Sequence, residues 1–385
     1  MTAAQGNQLR YADFQAGDPV PWFVQRTSGN PNYAFNSTGG RYVVLCFHGS
    51  AAHPEGHAAL RAIQADRQLF DDENVCFFGV SIDREDESLG RVREAIPGIR
   101  FLWDFDGAVS REFGALPRDP ATIDPATFRR FWLVLDPTLR VMARFDVANG
   151  AAADVGSEVI AYLRSLPPPA RFVGFEIPAP ILVLPNVFEP ALCKALIEIY
   201  EKHGGEESGF MRQIGDKTVL VEDPRHKRRK DCIVTDPEMI KTIQARILRR
   251  VKPEILKVYN FNVTRMERYL VGCYAAEDNA HFRAHRDNTT RGTAHRRFAV
   301  SINLNDDFEG GEVSFPEYGP RSYKAPPGGA VVFPCALLHA VSMVTVGRRY
   351  AFLPFLYDEA AARLREENAR FVEGGGEYRA SRAQA

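Results

Sequence analysis

The pattern of apolar positions changes character near the middle of the chain. In the first part, RYVVLCFH (41–48) and NVCFFGVSID (74–83) are short continuous apolar runs that read as buried strands. HAALRAIQADRQLF (57–70) between them has helical spacing, and FRRFWLVLDPTLRVMARF (128–145) reads as strand, turn and strand. This order, βαβ and then a hairpin, predicts a three-layer α/β domain. The seam is SLPPPARFVGFEIPAP (165–180), whose prolines forbid a regular helix. Beyond it, EPALCKALIEIYEKHG (189–204) and DPEMIKTIQARILRRV (236–251) each open on an acidic residue and a proline and then keep helical period. From about residue 262 the chain reads as strands: MERYLVGCYA, RRFAVSINLND, GEVSFPEY, GGAVVFPCALLHAVSMV and RRYAFLPFLYD. In the second of these, Phe298, Val300, Ile302 and Leu304 share one face, and Ala299, Ser301 and Asn303 share the other. Many short strands split by Gly, Asn, Asp and Pro predict a sandwich or barrel of jelly-roll type.

Composition narrows the class without changing this picture. The 385 residues are 45% hydrophobic and 25% charged, and the formal net charge is −1. That balance describes a globular protein and argues against a dedicated nucleic-acid surface. No apolar run approaches membrane-spanning length, and MTAAQGNQLRYADF has no basic and apolar leader pattern, so the expectation is a cytoplasmic protein without membrane contact. The six cysteines (46, 76, 193, 232, 273, 335) form no CxxC pair, and most sit in apolar runs, where reduced buried thiols are expected.

Candidate chemistry begins at HRDNTTRG (285–292). On one strand, residues i and i+2 point to the same face, so His285 and Asp287 aim an imidazole and a carboxylate at one point. His339, in a late strand, is the natural third ligand. Two histidines and one carboxylate make the facial triad of non-haem Fe(II), which leaves positions open for substrate and oxygen. A lone HxD is by itself more often a solvated pair. His281 is placed at the rim, and His295, in the basic turn AHRRF, at the surface. Arg349 follows His339 after a turn, and its planar fork suits a dicarboxylate. Alternation sends one of Arg348 and Arg349 inward, and the apolar positions that follow Arg349 on its face assign it that role.

Residues 262–358 resemble the Fe(II)/2-oxoglutarate dioxygenases of the prolyl-4-hydroxylase-like branch, through HxD, DFEGGE, the distal His and Gly-x-Arg-Tyr in that order. The resemblance implies a double-stranded β-helix. It implies iron on His285, Asp287 and His339, and the distal carboxylate of 2-oxoglutarate on Arg349. Tyr274 stands where that family often has a Tyr that hydrogen-bonds the cosubstrate; a core aromatic is the alternative. Hydroxylation with formation of succinate and CO2 is the implied reaction, with O2 as co-reactant and ascorbate as an accessory reductant. Asn303 and Asn305 are candidates to support the iron ligands, and Gly310 and Gly311 to make a tight turn.

Residues 15–165 resemble a peroxiredoxin of the thioredoxin-like fold, through GDPVPWFVQRT, the two strands above, IRFLWDFDGAVSREFGAL and the hairpin. Peroxiredoxins place a reactive cysteine shortly after a proline at a helix start. Here AHPEGHAAL holds Pro54 but Gly56 stands at the cysteine's position, while Cys46 and Cys76 lie within strands. The expectation is a redox-inactive module serving as scaffold, dimer contact or substrate dock. His48, His53 and His57 read as part of a polar loop, EDPRHKRRKD (222–231) as a solvated charged loop, DEAAARLREENARFV as a C-terminal helix and EGGGEYRASRAQA as a frayed tail.

The sequence thus predicts a two-domain chain: a thioredoxin-like domain at 1–165, a Pro-rich linker at 166–180, and a dioxygenase domain at 181–385 with helices flanking its jelly roll. It predicts an enzyme acting on a peptide prolyl residue, an amino acid or a small metabolite, with a homodimer as a candidate assembly. The alternatives are a cupin-like metal module without oxygenase activity and a thiol peroxidase acting through the front domain.

Overall fold

The computed structural model describes residues 10–119, 123–147 and 152–374. The chain divides into two compact units, Met1–Pro178 with Pro316–Gly319, and Ala179–Phe315 with Pro320–Ala385.

The first unit is built on a five-stranded sheet: β1 (Tyr42–Gly49), β2 (Val75–Ser81), β3 (Ile99–Trp103), β4 (Phe131–Leu135) and β5 (Val141–Asp146), in the order β3-β2-β1-β4-β5. β1, β2 and β3 are parallel neighbours, and β4 and β5 form the antiparallel hairpin. α1 (Pro54–Ala65) joins β1 to β2, and α2 (Ala152–Ser165) follows β5. Every residue of β1 and β2 is buried, as their unbroken apolar runs require, and the two faces feed separate cores. Val44 and Phe77 belong to one core, Leu45 and Phe78 to the other. This is the three-layer thioredoxin-like arrangement.

One expectation fails here. His48 lies in β1, is 1% exposed and packs edge-on to Phe101, so it belongs to the interior and not to a polar loop. Burial, then the nearby Arg130, pulls its pKa down to about 3, which keeps the ring neutral. His53 caps the first turn of α1 by accepting from the Glu55 N–H, and His57 lies within that helix.

Among its described residues the second unit carries a two-stranded hairpin, Phe210–Ile214 with Lys217–Val221, and two larger sheets. The small one runs β6 (Lys227–Arg228), β9 (His281–His285), β13 (His339–Val341), β11 (Val313–Ser314) and Ser322–Tyr323. The large one is centred on β7 (Lys230–Ile233), β8 (Leu270–Ala275), β14 (Val346–Phe352), β10 (Phe298–Asn303), β12 (Ala330–Pro334) and β15 (Phe355–Tyr357). Phe298, Val300 and Ile302 face a core shared with α3 (Pro190–His203), α4 (Pro237–Arg250) and α5 (Lys252–Tyr259), through residues such as Leu196, Ile243 and Ile255. Each such apolar side chain stabilises the fold by about 1.5–3 kcal/mol. The opposite face of the large sheet looks toward the small sheet, where Phe333 of β12 lies 4.6 Å from the His339 ring of β13. The result is a jelly roll with helices on one side.

Several predicted strands are divided. MERYLVGCYA forms two strands, Arg265–Glu267 and β8, because Arg268 takes φ +66° and ends the first. GGAVVFPCALLHAVSMV likewise splits into β12 and β13, so His339 opens a strand of its own instead of ending a long one. EDPRHKRRKD is not a solvated loop: it contributes β6 and β7, with Lys227 and Arg229 buried. The C-terminal helix spans Glu359–Asn368 with a 3-10 turn after it, and most of the tail lies outside the described residues.

Candidate metal centre

β9 and β13 pair antiparallel with His285 directly opposite His339, after a register shift that follows Phe282↔Val341. The strand ends at His285, so Asp287 is not the i+2 residue of a strand. It reaches the same point because its N–H donates to the Cys335 carbonyl at 2.9 Å, which ties the chain to the turn before β13. The three side chains offer donor atoms all within 4.8 Å of one another. His285 Nε2 lies 3.5 Å from Asp287 Oδ1, and His339 Nε2 lies 3.4 Å from Asp287 Oδ2.

Both imidazoles are set in the same tautomer. His285 Nδ1 is 2.8 Å from the Arg283 carbonyl and His339 Nδ1 is 3.0 Å from the Leu337 carbonyl. A carbonyl only accepts, so Nδ1 carries the hydrogen and Nε2 keeps its lone pair toward Asp287. Phe282 stacks on His285 at 3.5 Å, and Phe333 flanks His339. Burial, then the neighbouring His285, pulls His339 down to about 4, so it is neutral near pH 7. Burial opposes the charge on Asp287, but attraction to the protonated forms of His339 and His285, with Arg296 beyond them, holds the carboxyl well below its usual range. Two imidazole nitrogens and one ionised carboxylate fit a divalent iron.

Arg349 of β14 lies on the inner face of the large sheet and is 2% exposed, whereas Arg348 points outward to Glu277. Its Nε donates to Asn303 Oδ1 at 2.9 Å and its Nη2 to Ser301 Oγ at 2.6 Å. The Asn303 amide is fixed by its own bond to the Ala325 carbonyl at 2.7 Å. Nη1 is buried and has no acceptor among the described residues. Burial pulls the guanidinium down to about 10, with Tyr274 acting against that shift and Arg229 adding to it, so it remains charged at neutral pH. Tyr274 of β8, 1% exposed, is the cross-strand partner of Arg349, whose guanidinium carbon sits 5.3 Å from its ring centre. Gly311 takes φ +65° and makes room for this arrangement, because a Cβ there would come within 2.9 Å of Arg349 Cδ.

Other expected residues fall elsewhere. Asn303 serves Arg349 and not the His285, Asp287 and His339 cluster, and Asn305 bonds Asp307 and the Arg348 carbonyl. His281 is partly exposed, with Nδ1 2.8 Å from the Asn279 carbonyl. His295 is not at the surface: it is 2% exposed and its Nε2 lies 3.1 Å from Glu267 Oε2.

Sequence reasoning missed a buried cluster beside Tyr274. Arg229 makes a two-point pair with Asp231 at 2.6 and 2.7 Å, and Lys227 Nζ donates to Ser208 Oγ and the Gly209 carbonyl, both at 2.6 Å. Burial, then Arg229, pulls Lys227 down to about 6. The signal was present as alternation: Lys227 and Arg229 face inward while Arg228 between them is exposed.

In the front unit, Gly56 occupies the place expected for a reactive thiol. A Cβ there would lie 2.1 Å from the Ser50 carbonyl, so no side chain fits. Burial raises Cys46 far above the ordinary thiol range and pushes Cys76 up to about 12.

Fold and site define a jelly-roll domain with a two-histidine, one-carboxylate cluster and a buried arginine, preceded by a thioredoxin-like domain whose Cys46 and Cys76 are buried. Comparison with known families gives the same pair: residues 269–357 match the 2OG-Fe(II) oxygenase superfamily and residues 16–142 the AhpC/TSA family. The chain carries a 2OG-Fe(II) oxygenase domain, for which the family implies Fe(II) and 2-oxoglutarate, behind an AhpC/TSA-type domain. A PKHD-type hydroxylase of Paracoccus denitrificans (strain Pd 1222) is 43% identical over 79 residues, 18% of this chain and 35% of that protein. One from Gluconobacter oxydans (strain 621H) is 40% identical over 80 residues, again 18% and 35%. The chain thus spans about a third of the length of these curated relatives. Among solved structures, a Trichoplax adhaerens prolyl hydroxylase, in complex with a hypoxia inducible factor peptide fragment, is 19% identical over 48% of this chain and 86% of its own, with TM-score 0.39. Peroxidoxin BcpB of Mycobacterium tuberculosis is 20% identical over 40% and 99%, with TM-score 0.35. Among the described residues, no helix is long and apolar enough to cross a membrane.

Proposed function

We propose that this protein is an Fe(II)- and 2-oxoglutarate-dependent dioxygenase that hydroxylates a peptide prolyl residue, an amino acid or a small metabolite, releasing succinate and CO2. In this reading His285, Asp287 and His339 hold the iron, and Arg349 with Tyr274 takes the distal carboxylate of 2-oxoglutarate. The observation that carries it is the buried Arg349 guanidinium, whose Nη1 has no protein acceptor, on the face of the large sheet that looks toward the triad. A charged group so placed asks for an anion.

Bound iron with 2-oxoglutarate and O2 supplies the oxidative decarboxylation that drives C–H hydroxylation. The chain's own residues prepare the place for it. Hydrogen bonds from Nδ1 to main-chain carbonyls orient both imidazoles with Nε2 toward Asp287. Asp287 provides the single negative charge, Phe282 and Phe333 wall the rings off from water, and Ser301 and Asn303 aim the arginine fork. Ascorbate is the accessory reductant in this proposal.

The test is anaerobic titration of the iron-loaded protein with 2-oxoglutarate, following the visible metal-to-ligand charge-transfer band. Wild type should develop the band, and Arg349→Ala and Asp287→Ala should weaken or lose it. An iron-replete wild type with no band refutes the proposal and leaves a metal-binding jelly roll of another purpose.

A further inference from the structure

The cluster next to Tyr274 has no part in the function proposed above, yet it donates a hydrogen bond to that tyrosine's hydroxyl. Arg229 has a 5% exposed side chain and is gripped by Asp231 through Nε at 2.6 Å and Nη2 at 2.7 Å. Asp231 is held in turn by the Ser208 hydroxyl at 2.5 Å and by Arg268 at 3.3 Å. The fork therefore cannot swing. Space for it is left by Gly272, the cross-strand partner of Asp231, where a Cβ would lie 3.0 Å from Arg229 Cδ. The remaining nitrogen, Nη1, points at the Tyr274 hydroxyl at 3.3 Å.

A guanidinium has only donors, so the Tyr274 oxygen is the acceptor of that bond. The tyrosine's own hydrogen is then directed away from Arg229. Its cross-strand partner is Arg349, whose Nη1–H also has no protein acceptor. Two donors, one O–H and one N–H, are thereby left on neighbouring buried side chains. A carboxylate has an acceptor oxygen for each. Without Arg229, the hydroxyl of Tyr274 is free to rotate, and one of the two donors is no longer preset.

We infer that Arg229, locked by Asp231, is a positioning residue that presets the Tyr274 hydroxyl as a donor to the distal carboxylate of the cosubstrate, and so sets the preference for a dicarboxylate 2-oxo acid. This rests on the proposed dioxygenase reading. A merely structural role for the Arg229–Asp231 pair would weaken folding or metal loading without regard to which 2-oxo acid is offered.

The experiment compares 2-oxoglutarate with 2-oxopentanoate, the five-carbon 2-oxo acid that lacks the distal carboxylate. Dissociation constants are read anaerobically from the charge-transfer band in the iron-loaded full chain. Arg229→Met and Tyr274→Phe should each weaken 2-oxoglutarate roughly tenfold, the effect of one hydrogen bond to a charged group. Each should leave 2-oxopentanoate within about twofold, the usual tolerance for a site not sharing the interaction. Because Arg229 acts through Tyr274, the double variant should be no worse than either single one. Equal losses for both acids, or additive losses in the double variant, overturn the inference. Should Arg229→Met fail to fold, Tyr274→Phe alone still decides, since an unchanged preference for 2-oxoglutarate removes the role assigned to the hydroxyl. A wild type that loads iron but shows no band with either acid overturns the dioxygenase reading itself, which is a different result from a band that the variants leave untouched.

Discussion

Replacing Arg349 with Met separates a residue kept for a ligand from one kept for the fold. The guanidinium makes two bonds to neutral acceptors, Asn303 Oδ1 at 2.9 Å and Ser301 Oγ at 2.6 Å, and its Nη1 has no acceptor among the described residues. Beside it lie the Tyr274 ring and a second cation, Arg229. Losing the two bonds costs about 1.5–3 kcal/mol each, but an uncompensated buried charge costs several kcal/mol, and Met removes it. The two effects oppose, so ligand-free Arg349→Met should stay within about 2 kcal/mol of wild type, well short of the roughly 3–5 kcal/mol lost on breaking a buried ion pair. Binding should behave in the opposite way. Losing charge-assisted bonds worth about 3 kcal/mol weakens 2-oxoglutarate by two orders of magnitude or more. Added 2-oxoglutarate should then raise the melting temperature of wild type and not of the variant. Chemical denaturation of the metal-free protein, paired with the anaerobic band titration, measures both quantities. A variant that loses more than about 3 kcal/mol without ligand and still binds 2-oxoglutarate normally would falsify this reasoning, and Arg349 would be a structural cation.

Three further outcomes follow from the same structure. Gly311→Ala places a Cβ 2.9 Å from Arg349 Cδ at a backbone φ of +65°, so 2-oxoglutarate affinity should fall by at least about tenfold while iron binding persists; equal loss of both points to general misfolding. Lys227 has its pKa pulled from 10.5 to about 6 by burial and Arg229, so between those values the unfolded chain holds a proton that the folded one lacks. Folding stability should therefore rise with pH across that window, and Lys227→Met should be more stable than wild type near pH 6.5 by a few kcal/mol, with the gap closing by pH 10. A gap independent of pH in denaturation of the metal-free protein refutes that account. Gly56→Cys should not produce a thiol peroxidase: it should destabilise the chain by more than about 2 kcal/mol and consume no peroxide, and a stable, active variant would contradict the geometry at Ser50.

The jelly roll was legible because its strands obey a period of two. β10 shows this most plainly: Phe298, Val300 and Ile302 enter the core, and Ser301 and Asn303, on the other face, meet Arg349. The same rule named His285 and Asp287 for a reason that the structure revises, since the strand stops at His285 and a bond to the Cys335 carbonyl helps place Asp287. Arg349 could be told from Arg348 by alternation, and the structure buries the one and exposes the other. Misread positions were buried charges. Lys227, Arg229 and Asp231 sit in a run whose composition suggests solvent, and composition carries no information about which alternate positions face inward. His295 was harder still. Its partner Glu267 is 28 residues away in sequence, and no local pattern announces that Arg296 and Arg365 join it around one carboxylate.

In the front domain the segment leading into α1 is closed to a side chain at Gly56. Its sheet keeps the parallel core and the hairpin, but the segment between β1 and α1 is tied down from several sides. The Ala51 N–H donates to both oxygens of Asp86, at 3.1 and 2.9 Å, and the Ser81 hydroxyl donates to the same carboxylate at 2.7 Å. Ser50 Oγ donates to Asp83 at 2.7 Å, and the Ser50 carbonyl occupies the space that a side chain at Gly56 would need. Asp86 is 0% exposed, and burial raises its pKa against the pull of these hydrogen bonds. A reactive thiol needs an exposed position with the positive end of a helix or a cation nearby. This segment offers hydrogen bonds that hold a loop shut and a glycine with no room to become a cysteine. Peroxidase chemistry at this place would therefore require remodelling Ser50, Ala51 and Gly56 together, because Ser50 is fixed to Asp83, Ala51 to Asp86, and the Ser50 carbonyl fills the space beside Gly56.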